Sequence, residues 1–328
     1  VGHHQRTGRG WQTGTTTIVV PAGAVAGVDV RGGGPGTRET DALDPRNLVD
    51  RIHAVCLTGG SAYGLAAADG VMAVLEDRGL GVSVGPDPEH VVPVVPTAVI
   101  FDLGRGGDFA NRPDRGFGER ATRAARLIAA RGAIGAGTGA RAGGLQGGVG
   151  MASTTVELAG GPVGVAALAV VNASGSVVEP ASGLPWVRTK GVRRPTPAER
   201  NALAAERQVA IAPLNTTIGI VATSADLDRP EAGRLAQSAH DGLARAIRPA
   251  HSLMDGDTIF GLATGKHRVG TGQLGLVRGP DSRAFQLNQL FEAAADAFAA
   301  ACTDAVLTAA SVGAARAYRD LCPSAFTV

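Results

Sequence analysis

Cysteine is scarce in this 328-residue chain. The three that occur, Cys56, Cys302 and Cys322, form no CxxC pair, and their odd number argues against a disulfide scaffold. The seven histidines show no ligand spacing with them, so structural zinc has no support either. Lysine is nearly missing. Lys190 and Lys266 stand alone, and the rest of the positive charge is arginine. With 31 basic and 29 acidic side chains the formal charge is only +2, too diffuse for nucleic acid as the main partner. No run approaches the roughly 18 apolar residues of a membrane helix, and no basic-then-apolar N-terminal segment marks a signal peptide. The expectation is a cytoplasmic protein without a membrane partner. Aromatics make up only 4% against 48 glycines, so the core is built from Ala, Val, Leu and Ile with close backbone approaches. Hydrophobic residues at 44% and charged ones at 18% exclude a disordered chain. The length suits one large α/β domain or two ordinary ones.

Along the chain, Thr16 to Val20 and Ala24 to Val30 read as strands, followed by a glycine-rich loop from Arg31 to Pro45. Ala54 to Leu57 is a short apolar run that enters Thr58-Gly59-Gly60-Ser61. Ala62 to Asp77 then reads as a helix closed by Gly79. Val91 to Leu103 looks strand-like. Glu119 to Arg131 has helical spacing, with Ala121, Ala124, Leu127 and Ile128 on one face. A strand pair follows at Met151 to Leu158 and Val163 to Asn172. The Arg- and Pro-containing stretch from Val187 to Ala212 reads as an exposed connection with a short helix. Thr217 to Thr223 is a buried strand, Pro230 to Ile247 an amphipathic helix, Asp257 to Thr264 a strand and Asn288 to Ala315 a long helix. Without strict βαβ alternation, a layered sandwich fits better than a doubly wound sheet.

Four features carry chemical meaning. Gly135 to Gly144 contains a weak dinucleotide fingerprint, but a helix precedes it and strand-like residues follow, the reverse of the order that such a site needs. A tight loop is the better reading. Thr58-Gly59-Gly60-Ser61 opens a helix, so its backbone N–H groups are candidates for an anion or carboxylate; the plain role for Ser61 is an N-cap. Asn215-Thr216 lies where exposed connection meets buried strand. It reads as a turn, but if the chain were cut before Thr216, the new α-amine would be a base for the adjacent hydroxyl. Asp255-Gly256-Asp257 lacks the longer ligand series of a calcium loop and reads as an Asx-type turn, or as a carboxylate pair that orients an amine and a hydroxyl. His240 and His251 are bases by type, although a helix-borne His such as His240 is commonly a packing residue.

These segments coincide in one family. Ala24 to Asp41 (AVAGVDVRGGGPGTRETD), Val55 to Gly70 (VCLTGGSAYGLAAADG), Asn215 to Thr223 (NTTIGIVAT), His240 to Pro249 (HDGLARAIRP) and Asp255 to Phe260 (DGDTIF) together resemble the DmpA-type aminopeptidases. That family includes L-aminopeptidase D-Ala-esterase/amidase, β-peptidyl aminopeptidases and 6-aminohexanoate-oligomer hydrolases. The resemblance runs from about Gly23 to the C-terminal helix. It implies an α/β fold of the α+β type, a four-layer αββα sandwich similar to the N-terminal-nucleophile hydrolases but connected differently. It further implies a single catalytic domain, 1–328, that cuts itself at Asn215–Thr216 into an α subunit of residues 1–215 and a β subunit of 216–328.

By the same resemblance Thr216 is the nucleophile, Asn172 stabilises the oxyanion, and Asp255 and Asp257 hold the Thr216 amine and hydroxyl. Thr58, Gly59, Gly60, Ser61 and Phe101 are expected to line the substrate pocket. Phe101 stands where the family often has Tyr, and Gly144 where the nylon-oligomer branch has Lys. The implied activity is hydrolysis of amide or ester bonds in small aminoacyl or short-oligomer substrates, without metal or organic cofactor, in a homotetramer of processed protomers. Two other readings stay open at this point: acyl transfer, as in ornithine acetyltransferases, and an uncut, non-catalytic oligomeric binding protein.

Overall fold

A computed structural model describes residues 1–209, 215–270, 279 and 281–326. Eight strands and five helices frame it. The strands are β1 (Gly2–Gly8), β2 (Trp11–Val30), β3 (Ile52–Thr58), β4 (Thr97–Val99), β5 (Gly148–Leu158), β6 (Gly161–Asn172), β7 (Thr216–Ala225) and β8 (Thr258–His267). The helices are α1 (Ala67–Glu76), α2 (Arg115–Arg123), α3 (Pro197–Val209), α4 (Arg229–Ala246) and α5 (Arg283–Leu307). The order β5-β6-β7-β8-β2-β3-β4 ends on the short strand Thr37–Arg38, and β1 also pairs with β2. The pairs β7–β8 and β3–β4 are parallel and the others antiparallel.

Strand β2 makes this one connected sheet into two layers. Its first half pairs with β1 and β3, its second half with β8, and the register breaks between Val19 and Ala24 around Pro21. Proline has no N–H for the ladder, and Gly23 takes φ 72°, a value that favours glycine. Alternation along each strand then sorts the side chains. Leu168 and Val170 of β6, Ile218 and Ile220 of β7, and Phe260 and Leu262 of β8 pack against Ile18, Val55, Leu57 and Ile100 of the other layer. The opposite faces, with Val165, Val221 and Ile259, pack on Leu235, Leu243, Phe298 and Cys302 of α4 and α5. Ala54 and Cys56 of β3 pack on Ala67, Val71 and Leu75 of α1. The order is therefore helix, sheet, sheet, helix: the expected αββα sandwich.

The glycine richness has a steric cause here. A Cβ on Gly261 would lie 2.1 Å from the Ala232 carbonyl oxygen, and one on Gly242 would lie 1.9 Å from that of Ala295. Helices α4 and α5 are thus seated directly on the sheet and on each other. Helix α4 is fixed at its start by a capping box between Asp228 and Glu231.

Several expected boundaries move. Of Val91 to Leu103, only Val91–Val92 and Thr97–Val99 are strand, because Pro93 and Pro96 interrupt the ladder. The helix expected at Glu119–Arg131 is Arg115–Arg123, opened by Asp114 accepting from the Phe117 N–H. It stops early because the Arg126 N–H and carbonyl pair with Val1, which leaves Leu127 and Ile128 exposed rather than on a packed face. The last long helix begins at a Ser282 cap and ends at Leu307, shorter than the run to Ala315. Ala62 to Asp77 divides into Ser61–Gly64 and α1.

Candidate active site

In the antiparallel pair β6–β7, Asn172 lies directly opposite Thr216. Their side chains therefore share a face, with Cβ atoms about 4.5–5.5 Å apart for such a pair. It is the face of Leu168, Val170, Ile218 and Ile220, between the two sheets. Thr217 takes the other face; it is fully buried, and its hydroxyl has no hydrogen-bond partner among the described residues. Thr216 is also buried, and its hydroxyl donates to the carbonyl oxygen of Asn215.

The Asn172 amide is oriented from both ends. Its Oδ1 accepts from Arg105 Nη1 at 2.5 Å and from the Arg141 backbone N–H at 3.0 Å. Its Nδ2 donates to the Phe101 carbonyl at 3.3 Å. Arg105 also donates to Asn215 Oδ1 at 3.2 Å, so one guanidinium joins Asn172, which lies opposite Thr216, to the side chain of Asn215. Burial lowers the Arg105 pKa to about 10, which leaves it a cation at neutral pH, with nearby Asp102 favouring the charge. Burial pushes the Asp102 carboxyl up to about 6, against bonds from Thr13 Oγ1 at 2.6 Å and the Gly60 N–H at 2.7 Å. On the far side Asn215 Nδ2 donates to Ser174 Oγ at 2.8 Å. Arg105 and Ser174 escaped the sequence reading. Arg105 sits between two glycines in a turn, and nothing local distinguishes it from a solvent-facing arginine.

Asp255 and Asp257 flank the same peptide. Both are buried. Asp257 accepts from the Thr217 N–H at 2.7 Å and, through its other oxygen, from the His251 N–H at 3.1 Å, with His251 Nδ1 at 2.8 Å. Asp255 accepts from Ser252 N at 2.9 Å and Oγ at 2.6 Å. Neither carboxylate bonds to Thr216 among the described residues. His240 packs edge-on against His251, with ring centroids 4.9 Å apart, and its Nε2 meets the Asp29 carbonyl at 3.0 Å. Burial lowers the His240 pKa to about 4. It is a packing histidine.

The loop Thr58–Ser61 reaches this site through its neighbour, the segment Ile100–Asp102. The N–H groups of its three residues after Thr58 are engaged: Gly59 to Gly14, Gly60 to Asp102 and Ser61 to Ile100. The anion-binding reading of those N–H groups fails for that reason. Ser61 is not an N-cap either. The cap is Gly60 at φ 85°, and no side-chain bond closes it. The Phe101 ring lies under the Arg105 guanidinium at 5.6 Å. No group of three or more metal-ligating side chains occurs among the described residues.

The sequence pattern of Peptidase family S58 matches residues 1–319. The chain belongs to this family. An uncharacterized aminopeptidase of Mycobacterium tuberculosis strain H37Rv is 48% identical over 339 residues, covering 99% of this chain and 96% of that one. The 6-aminohexanoate-oligomer endohydrolase of Kocuria sp. strain KY2 is 32% identical over 269 residues, 77% of this chain and 69% of that one. The L-aminopeptidase D-Ala-esterase/amidase of Ochrobactrum anthropi, described as a variant of the Ntn hydrolase fold, superposes with TM-score 0.71 at 20% identity over 95% of this chain and 85% of that one. The family is the one that the sequence segments resemble. An S58 peptidase is a hydrolase, which favours that reading over acyl transfer or an uncut binding protein. No described helix is long and apolar enough to cross a membrane.

Proposed function

We propose that this S58 hydrolase cuts itself between Asn215 and Thr216 and then uses Thr216 as an N-terminal nucleophile. The observation that carries the reading is the cross-strand pair Asn172–Thr216, with the scissile carbonyl already against the Thr216 hydroxyl. Cutting divides one catalytic domain into a piece that ends at Asn215 and a piece that begins at Thr216. The freed α-amine titrates at about 7.7–8.0, so a useful fraction is free base at neutral pH. It takes the proton of its own Oγ, and Oγ attacks the substrate carbonyl. Asn172 Nδ2 steadies the oxyanion, a role worth ~3–4 kcal/mol. The leaving amine departs with the proton, and water releases the acyl group. Asp257 anchors the strand one residue from the new terminus, and Asp255 fixes the turn beside it. Arg105 holds Asn172 in the orientation that points its N–H groups away from the guanidinium.

The substrates are amides or esters of small amine-bearing acyl groups, including short ω-amino-acid oligomers such as the one in the Kocuria relative's name. Phe101 and the Thr58–Ser61 loop line the acyl side by contact rather than by donated N–H groups. The chemistry uses only groups of the chain. Processed protomers assemble as a homotetramer, by family resemblance. A cytoplasmic site suits the three free, buried cysteines. The test is a denaturing gel of aged protein, with a screen of aminoacyl p-nitroanilides and short 6-aminohexanoate oligomers. Two bands and turnover of one such substrate are expected. One intact band with no turnover contradicts the reading.

A further inference from the structure

The Asn215–Thr216 peptide lies in a one-residue parallel bridge with Asp255. Asn215 donates its N–H to the Met254 carbonyl at 3.2 Å, and the Gly256 N–H donates to the Asn215 carbonyl oxygen at 3.2 Å. That oxygen belongs to the bond proposed to break. Gly256 has no room for a side chain. A Cβ there would lie 2.7 Å from the Gly34 carbonyl oxygen and 2.9 Å from Thr216 Oγ1. The Asn172 amide nitrogen, by contrast, is turned to the Phe101 carbonyl. We infer that the backbone N–H of Gly256 is the oxyanion donor of self-cleavage, distinct from Asn172, which serves hydrolysis.

The inference rests on the cutting proposed above. Thr216 Oγ adds to the Asn215 carbonyl carbon, and the C=O electron pair moves onto oxygen, where the Gly256 N–H meets it. Collapse restores the carbonyl, breaks the C–N bond and passes the hydroxyl proton to the Thr216 nitrogen. An ester between Asn215 and Thr216 Oγ results, with a free α-amine. Water then adds to the ester carbonyl. The same N–H receives the second oxyanion, and collapse releases the Asn215 carboxylate and the Thr216 hydroxyl. The bond exists before reaction, so it accelerates cutting by strengthening as the oxygen gains charge.

An ester in place of the 255–256 peptide link deletes this N–H and adds no bulk. It also weakens the Asp255 carbonyl as an acceptor for the Gly34 N–H, which bonds it at 2.8 Å. An ester in place of the 33–34 link removes that second bond alone and is the matched control. The fragment beginning at Thr216 should appear ~100-fold or more slowly in the 256 ester, the scale for one oxyanion donor, and within about threefold of the parent rate in the 34 ester. A 256 ester that cuts as fast as a cutting parent, or two esters slowed alike, overturns the inference alone. A parent that stays whole overturns the cutting as well. If the 256 ester does not fold, the Asn215 carbonyl is read directly by infrared in a ¹³C-labelled, uncut Thr216→Ala chain. A hydrogen-bonded band is expected, and an unbonded one overturns the donor assignment.

Discussion

Removing Arg105 tests whether the site is held together through its two asparagines. Arg105→Ala takes away a 2.5 Å bond to Asn172 Oδ1 and a 3.2 Å bond to Asn215 Oδ1. Hydrogen bonds to charged groups contribute about 1.5–3 kcal/mol each. The longer bond belongs at the low end, and Asn172 Oδ1 keeps the Arg141 N–H at 3.0 Å. The lost ordering is then about 3 kcal/mol, which corresponds to roughly 100-fold in rate if all of it serves the transition state. Because the guanidinium orients both residues, cutting and turnover should fall together. On protein that is already cut, kcat should drop with KM little changed. Arg105→Lys keeps the charge but not the fork that spans two acceptors, so it should recover only part of the loss. The assay is densitometry of the fragment over time, then kcat and KM on separated cut enzyme, with a melting curve for each variant. If Arg105→Ala lowers the melting temperature yet leaves cutting and kcat at parent values, the residue only packs, and the reasoning fails.

Other outcomes follow from the same geometry. Thr216→Ala should abolish cutting and turnover, whereas Thr217→Val, which removes a buried hydroxyl without a partner on the opposite face, should cut within about threefold of the parent rate and gain up to about 1 kcal/mol in a denaturant titration; equal loss from both changes contradicts the face assignment. Asn172→Ala on cut enzyme should lower kcat by ~100-fold or more while KM changes little; a parent-like kcat there would move the hydrolytic oxyanion role to another group. His240, lowered to about 4 by burial, binds its proton less readily folded than unfolded. Its neutral form therefore contributes stability that is complete above about pH 6.5 and is lost as pH falls toward 4, on the order of 3 kcal/mol. His240→Gln should flatten the stability curve across that window, and superimposable acid-unfolding curves would count against it.

The layered sandwich was readable because β-branched runs such as Thr217 to Thr223 and the glycine-punctuated Ala24 to Val30 have no other plausible fate. The period-2 alternation of that strand sets Thr216 and Thr217 on opposite faces. Less was readable where one element borrows its ending from another: the pairing of Arg126 with Val1 ends α2, and no periodicity in Glu119 to Arg131 reveals it. In the site, Thr216, Asn172, Asp255 and Asp257 came from the resemblance, and the β6–β7 register and the bridge at Asn215 bring them to one strand end. Arg105 and Ser174 were invisible because their roles arise from a tertiary approach between segments about 70 residues or more apart in some pairs and about 40 in others. The Thr58–Ser61 donors misled because a helix start looks open in sequence, whereas Gly14, Asp102 and Ile100 already fill it.

The most direct measurement is the intact mass and N-terminal sequence of purified protein after prolonged incubation. Two polypeptides are expected, one ending at Asn215 and the other beginning Thr216-Thr217-Ile218. A single chain, or a new terminus at Thr217 or elsewhere, would contradict the assignment of Thr216 as the nucleophile.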